Sequence, residues 1–338
     1  MNFGSQTIRF TKKPRVLSGY SIVGPKESLG PLDSYFHKRL RKDDFGQKSY
    51  EKAECKLHMS AISGAIIEAG LTPKDVDVNI GGDLLNQIIT SSFSARELDI
   101  SFIGMYSACS TFGQALIVGA TMIDGGYIRT ATASTSSHFS TAERQYRYPL
   151  ELGTQLTPTS QWTVTGAGCT LLGREGSNIF VESATIGKVI DFGISDANNM
   201  GAAMAPAAAK TVLQHLQDTS RSAAYYDCIV TGDLGIYGSE LFLKLLASEG
   251  IDASSVHKDC GAMIYDHKQR CPQGGSGAGC SSVVFNSYFL HQMRAGAIKR
   301  LLLVPTGALL SKLSSLQGET IPGIANAVAF EREEVECC

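Results

Sequence analysis

Two hydrophobic periods alternate along this chain, one near 3.6 residues and one near 2. Residues 51–69, EKAECKLHMSAISGAIIEA, put Ala53, Leu57, Ala61 and Ala65 on one face at four-residue spacing. That spacing predicts a helix, and Gly70 is placed to stop it. A short strand is predicted over residues 76–80 and another over 100–105. Residues 111–123, TFGQALIVGATMI, are apolar nearly all round, which predicts a buried helix ended by Gly125 and Gly126. RTATAST at 129–135 predicts a strand. SSHFSTAERQYRYP then predicts a polar, arginine-bearing loop or short helix, and GAGCTLLG and IFVESATIGKVIDFG predict further strands.

A second succession starts near Asn198. MGAAMAPAAAKTVLQHLQDT predicts a long helix, with Pro206 at a kink or in its first turn. YYDCIVTGD predicts a buried strand, and GSELFLKLLASEG a helix ended by Gly250. KDCGAMIYD predicts a strand or loop. CPQGGSGAGCSSVVFNSYFLHQMRAG runs from a glycine-rich loop into a long helix, and KRLLLVPTGALL predicts a strand. The order echoes the first succession. It predicts an internally duplicated α/β chain with halves at 1–190 and 191–338. A length of 338 residues is enough for two such units.

Composition narrows the function classes. Lys plus Arg number 30 against 32 Asp plus Glu, for a formal net charge of -2. This leaves no electrostatic footprint for nucleic acid. No secretory signal pattern opens the chain, and no run reaches the roughly 20 apolar residues of a membrane span, so a soluble or peripheral protein is expected. Nine cysteines without staple-like spacing fit a reduced compartment. Cys337 and Cys338 read as a frayed tail, and neither a metal nor a cofactor is expected.

Three stretches could carry chemistry. Cys109, in MYSACSTFGQAL, ends an apolar strand and precedes a predicted helix, where amide dipoles favour a thiolate. A packed, inert cysteine fits the same position. The loop CPQGGSGAG at 271–279 could bring backbone amides to a ligand or could be a plain tight turn; it matches neither a Walker A loop nor GxGxxG. Of the seven histidines, His138 has the most site-like position, just past a strand end. Arg144 and Arg147 follow and could clamp carboxylates bidentately, or could belong to a solvated loop.

MYSACSTFGQALIVGATMIDGG resembles the nucleophile region of the thiolase and ketoacyl synthase superfamily. That resemblance implies a duplicated fold in α-β-α-β-α layers and, commonly, a homodimer. SSHFSTAERQYRYPLELGTQ and TGDLGIYGSE resemble, more narrowly, the stage V sporulation AD family. Against the superfamily pattern, the loop that carries a catalytic histidine in thiolases reads RCPQGGSG, with Cys271 in that place. No cysteine stands at Pro305 or Thr306, where thiolases carry a second one, and IVTGDLG has no synthase-type histidine. The resemblance therefore implies a retained pocket without condensation chemistry. It further implies a dipicolinic acid-binding subunit of a sporulation transport assembly. Such a subunit would be peripheral at the cytoplasmic face of the forespore inner membrane, with integral membrane proteins of the same operon as partners. The expected ligand-binding residues are Cys109, His138, Arg144, Arg147, Cys271, Gly274 and Gly275. An acyltransferase using Cys109 and a pure scaffold are the alternatives.

Overall fold

The computed structural model describes residues 2–146 and 155–334. Two sets of five strands share one connectivity. The first set lies in the order Phe102–Gly104, Val78–Gly82, Thr130–Ser137, Gly166–Gly173, Arg15–Val23. The second lies in the order His257–Asp259, Cys228–Thr231, Arg300–Val304, Ala327–Arg332, Ile179–Thr185. Numbered by chain order within each set, both read 3-2-4-5-1. In both, strands 3, 2 and 4 are parallel and strand 5 runs antiparallel to both its neighbours. The first strands of the two sets touch where Phe180 faces Arg15, which joins the two sets into one sheet. The repeated order is the duplication that the element pattern predicts.

Strand pleating assigns the layers, because successive side chains leave opposite faces. On Arg300–Val304, Leu301 and Leu303 enter the central core, whereas Leu302 and Val304 enter the outer one. On Ala327–Arg332, Val328 and Phe330 point inward, and Ala327 and Ala329 outward. The first set does the same, with Leu172 inward and Ala167, Cys169 and Leu171 outward. Between the sheets lie Thr111–Gly125, which packs on strands of both sets, and Ala278–Val284 beside it. Tyr50–Glu68 covers the outer face of the first sheet, and Met200–Thr219 with Gly235–Ser248 that of the second. These are the five α-β-α-β-α layers.

The all-round apolar helix predicted at 111–123 is this central helix, Thr111–Gly125, and Gly126 ends it with φ +81. Its companion can lie close because Gly168 has no side chain: a Cβ there would stand 2.4 Å from the Ser282 backbone. Two local expectations are corrected and a third, for Pro206, loses its first-turn alternative. The stretch 258–266 holds a short helix, Cys260–Ile264, because the Asp259 carboxylate caps the Ala262 N–H at 2.9 Å. The long helix after the glycine loop is interrupted by a π segment at Phe285–Phe289. There the Asn286 amide donates to the Ser282 carbonyl and the Ser287 hydroxyl to that of Val283. Pro206 lies in the interior of Met200–Thr219, beyond its first turn.

Leu303 is fully buried between the sheet and the central helices, whereas Leu313 is 65% exposed. Leu303→Ala is expected to lower the free energy of unfolding by about 2–5 kcal/mol, and Leu313→Ala by less than about 0.5 kcal/mol. Denaturant titration of the two variants would check this; equal losses would contradict the layer assignment.

Candidate functional site

Cys109 sits in a tight turn between the strand Phe102–Gly104 and the central helix. Ala108 takes a left-handed φ of +47. Side chains hold that turn from within. The Thr111 hydroxyl accepts from the Ser107 N–H at 2.9 Å and donates to the Ala108 carbonyl at 2.6 Å. Ser110 ties the turn to the second half, donating to the Pro305 carbonyl at 2.7 Å and accepting from Asn326 at 3.1 Å. The sequence thus delivers a thiol to the N-terminal end of a buried helix, 8% exposed.

The group facing that thiol is a carboxylate. Asp233 follows the strand Cys228–Thr231 and is 1% exposed. One of its oxygens accepts from the Thr306 hydroxyl at 2.7 Å; the other accepts from the Ser276 hydroxyl and the Gly277 N–H, both at 3.0 Å. Cys109 is a further hydrogen-bond partner. Behind it, Asp259 accepts from Thr231, Leu234 N, Gly235 N and Ala262 N at 2.7–2.9 Å. Burial raises both acids, Asp259 to about 6, while the donors around each oppose the rise.

These surroundings decide the state of the thiol. Burial pushes Cys109 well above the ordinary thiol range, and the Asp233 charge pushes it further. The Gly277 N–H and Ser276 pull the other way with smaller effect. A helix N-terminus favours an anion by about 0.3–1 kcal/mol. A carboxylate about 4 Å away opposes one by roughly 4 kcal/mol at an effective dielectric of 20, so repulsion wins. The choice of base matters too. A histidine that takes the proton leaves a thiolate–imidazolium ion pair; an aspartate that takes it leaves a lone thiolate beside a neutral acid. The arrangement stores a protonated thiol.

The expected site residues divide between several places. Cys109 lines a narrow inner pocket of about 50 Å³ with Leu84, Tyr146, Met200, Ser276 and Ala308. His138 is fully buried and is not among that pocket's lining residues. Its Nδ1 accepts from the Ser140 N–H at 3.1 Å and its Nε2 lies 3.0 Å from the Asp43 carbonyl, which is the pattern of a neutral ring; burial lowers its pKa. Cys271 is buried elsewhere, with its Sγ 3.5 Å from the Gln269 carbonyl, and burial pushes it up to about 11. Gly274 (φ +92) and Gly275 are backbone fittings. A Cβ on Gly274 would meet the Gly261 carbonyl at 2.2 Å, and Gly275 pairs with Trp162 in a short parallel bridge. The loop at 271–279 thereby carries Ser276 and Gly277 to Asp233.

Arg144 closes the helix Phe139–Tyr146, ion-paired to Glu51, and lines a second, outer chamber of about 700 Å³. Arg147 lies outside the described residues. Tyr146 and Leu310 border both cavities. The Tyr146 hydroxyl donates to the Leu84 carbonyl at 2.8 Å and lies 3.1 Å from the Tyr106 hydroxyl, which pins the partition between them. Sequence reasoning passed over Asp233, Ser276 and Tyr146. The available signal is TGDLG, an acid two residues past the end of a buried strand.

A family model described as Stage V sporulation protein AD matches residues 4–331. The chain belongs to the stage V sporulation protein AD family. A Bacillus subtilis (strain 168) member, Stage V sporulation protein AD, is 45% identical over 329 residues, which is 97% of each chain. Solved structures with the same fold are condensing enzymes at far lower identity. The 3-oxoacyl-[acyl-carrier-protein] synthase III of Aquifex aeolicus is 12% identical with a TM-score of 0.58, over 94% of this chain and 99% of that one. Xanthomonas campestris OleA, solved with lauric acid and lauroyl-CoA, is 15% identical with a TM-score of 0.62, over 95% and 99%. These place this member of the sporulation family on a thiolase-like fold.

Alkylation of Cys109 by iodoacetamide at pH 7.5, followed by mass spectrometry of its peptide, is expected to run at least about tenfold slower than that of a free thiol. The rate should climb only above pH 9. Asp233→Asn removes the repelling charge and should move the profile to lower pH. A profile that stays put in the folded variant would show that Asp233 does not govern the thiol.

Proposed function

We propose that this family member is a non-condensing dicarboxylate-binding subunit of the sporulation apparatus, and that its ligand is dipicolinate, pyridine-2,6-dicarboxylate. The observation that carries this reading is the pairing of Cys109 with Asp233. A condensing enzyme needs a thiolate and a base whose protonated form stabilises it. Here the position facing the sulfur holds a buried acid already engaged by Thr306, Ser276 and Gly277. The layered fold and its cavities persist around chemistry that has been switched off. The ligand is the one that the resemblance to the sporulation family implies. In this reading the subunit works at the cytoplasmic face of the forespore inner membrane, beside membrane proteins of its operon. No helix of the described residues is long and apolar enough to cross a membrane, which agrees with a peripheral place.

A condensing role for Cys109 is favoured by one observation, its seat at the N-terminal end of the central helix. The two readings separate in the same tube. An acetyl-coenzyme A and acetoacetyl-coenzyme A exchange assay is expected to stay at background, and a robust rate that vanishes in Cys109→Ala would favour the enzyme. Calorimetric titration with dipicolinate is expected to saturate. Pyridine-2-carboxylate should bind at least about tenfold more weakly, since one charge-assisted contact of about 1.5–3 kcal/mol is lost. Absence of saturable dipicolinate binding by the folded protein would overturn the proposal and favour a scaffold.

A further inference from the structure

The two halves repeat one plan but cover their outer helices differently. Tyr50–Glu68 and Met200–Thr219 are counterparts. Ala53, Leu57, Ala61 and Ala65 bury one face of the first, and Ala203, Ala207, Thr211 and His215 bury the same face of the second. Residues 24–49 lead into the first helix, and residues 186–199, about half as many, into the second. The longer connection lies over its helix. The Phe45 ring sits 4.3 Å from the Lys56 ammonium, its carbonyl accepts from that group at 3.1 Å, and Leu40 is buried in the core beneath. Further along, the Tyr20 ring packs on Gly64, where a Cβ would stand 2.5 Å from it, and His37 lies against Tyr20 at 4.7 Å. Counted from the first residue of each helix, Lys56 corresponds to Pro206 and Gly64 to Gln214. In the second half these two positions line an open groove of about 330 Å³.

The groove has a graded chemistry. Pro206, Leu213 and Leu245 come to it from the two outer helices, and Ile190 and Phe192 from the short connection. Phe192 is left 55% exposed. Lys188 and Lys210 line the same groove, and the Lys210 ammonium lies 5.7 Å from the Phe192 ring centroid. Neither ammonium has a carboxylate partner among the described residues. Glu249 is the single acid among the described lining residues. The volume falls within the roughly 300–1,000 Å³ usual for small-molecule sites. Two lysines are too few for an anionic bilayer, which is met by clusters of about four to eight. They suit one anionic head, with an apolar body laid along the floor. No described lining residue is shared with the Cys109 pocket or with the outer chamber.

We propose that this groove is a second small-molecule site, for a single-chain amphiphilic anion. Its carboxylate lies between Lys188 and Lys210, and its chain covers Pro206, Leu213 and Leu245 as the chain's own residues cover the matching face of the first half. The proposal stands apart from the dicarboxylate reading, and neither depends on the other.

The test is calorimetric titration of the full chain with decanoate, held below its micelle-forming concentration. One saturable site is expected. Decyltrimethylammonium has the same chain with the opposite charge and should bind at least about tenfold more weakly. Lys188→Gln and Lys210→Gln are each expected to weaken decanoate binding at least about threefold, and the double variant at least about tenfold. Leu213→Asp sets a charge on the apolar floor and should abolish it, whereas Leu313→Asp, at an exposed position outside the groove, should stay within about twofold of the parent. Each variant is first compared with the parent by circular dichroism and thermal melting. The proposal is overturned if the folded parent shows no saturable decanoate binding, including where phosphatidylglycerol vesicles recruit it instead. It is equally overturned if decyltrimethylammonium binds as well as decanoate, if the folded double lysine variant binds like the parent, or if Leu313→Asp loses binding. Dipicolinate titration of the same samples reads the dicarboxylate proposal separately.

Discussion

Asp233 is the contact on which the centre of this molecule depends. Its buried carboxylate gathers a hydroxyl from the strand Thr306–Ala308, a hydroxyl and an N–H from the glycine-rich loop, and the thiol from the first half of the chain. A buried charge is tolerated only when its lone pairs are met, and these donors meet them. Asp259, one layer behind, does the same for the backbone that turns from the strand Cys228–Thr231 into the helix Gly235–Ser248. The site is therefore assembled around acceptors. The thiol is one donor among several, held in its protonated form.

On the proposed reading, that arrangement accounts for a thiolase-like fold without condensing chemistry. The central helix still presents its N-terminal end to the sulfur, but the favourable dipole is small beside a neighbouring carboxylate. Charge is distributed in two compartments. Glu143 borders the inner pocket, whereas Arg144, paired with Glu51, and Lys312 line the outer chamber. Tyr146 stands between them, anchored on the Leu84 carbonyl.

The glycine loop shows how a motif can be legible in form and ambiguous in purpose. CPQGGSGAG could be read as an anion cradle or as a turn. In the structure its glycines answer to steric needs, since Gly274 packs on the backbone of Gly261 and Gly275 forms a strand bridge. Its chemical contribution is Ser276 and the Gly277 N–H, directed at a protein carboxylate. His138 is a similar case. Its place after a strand end suggested a site, yet both ring nitrogens find backbone partners. A short polar stretch reveals residue types; their partners come from segments about 95 residues away in one instance and about 40 in another.

What the sequence determined by itself is whatever depends on neighbours along the chain. The four-residue spacing of Ala53, Leu57, Ala61 and Ala65, the all-round apolar helix after Cys109, and the recurrence of strand and helix in the same order all followed from local period. Together with the family likeness they specified the duplicated, layered fold. The cysteine at 271 in place of a histidine, and the lack of a histidine in IVTGDLG, were equally legible. What only the tertiary structure decided is what fills those places. It set Asp233 against Cys109, brought Lys312 to the same chamber as Arg144, and left His138 and Cys271 in enclosures of their own. The physical reason is that a pKa, a pocket and a charge pair are set by atoms a few ångströms apart, and in a duplicated fold those atoms come from opposite halves of the chain.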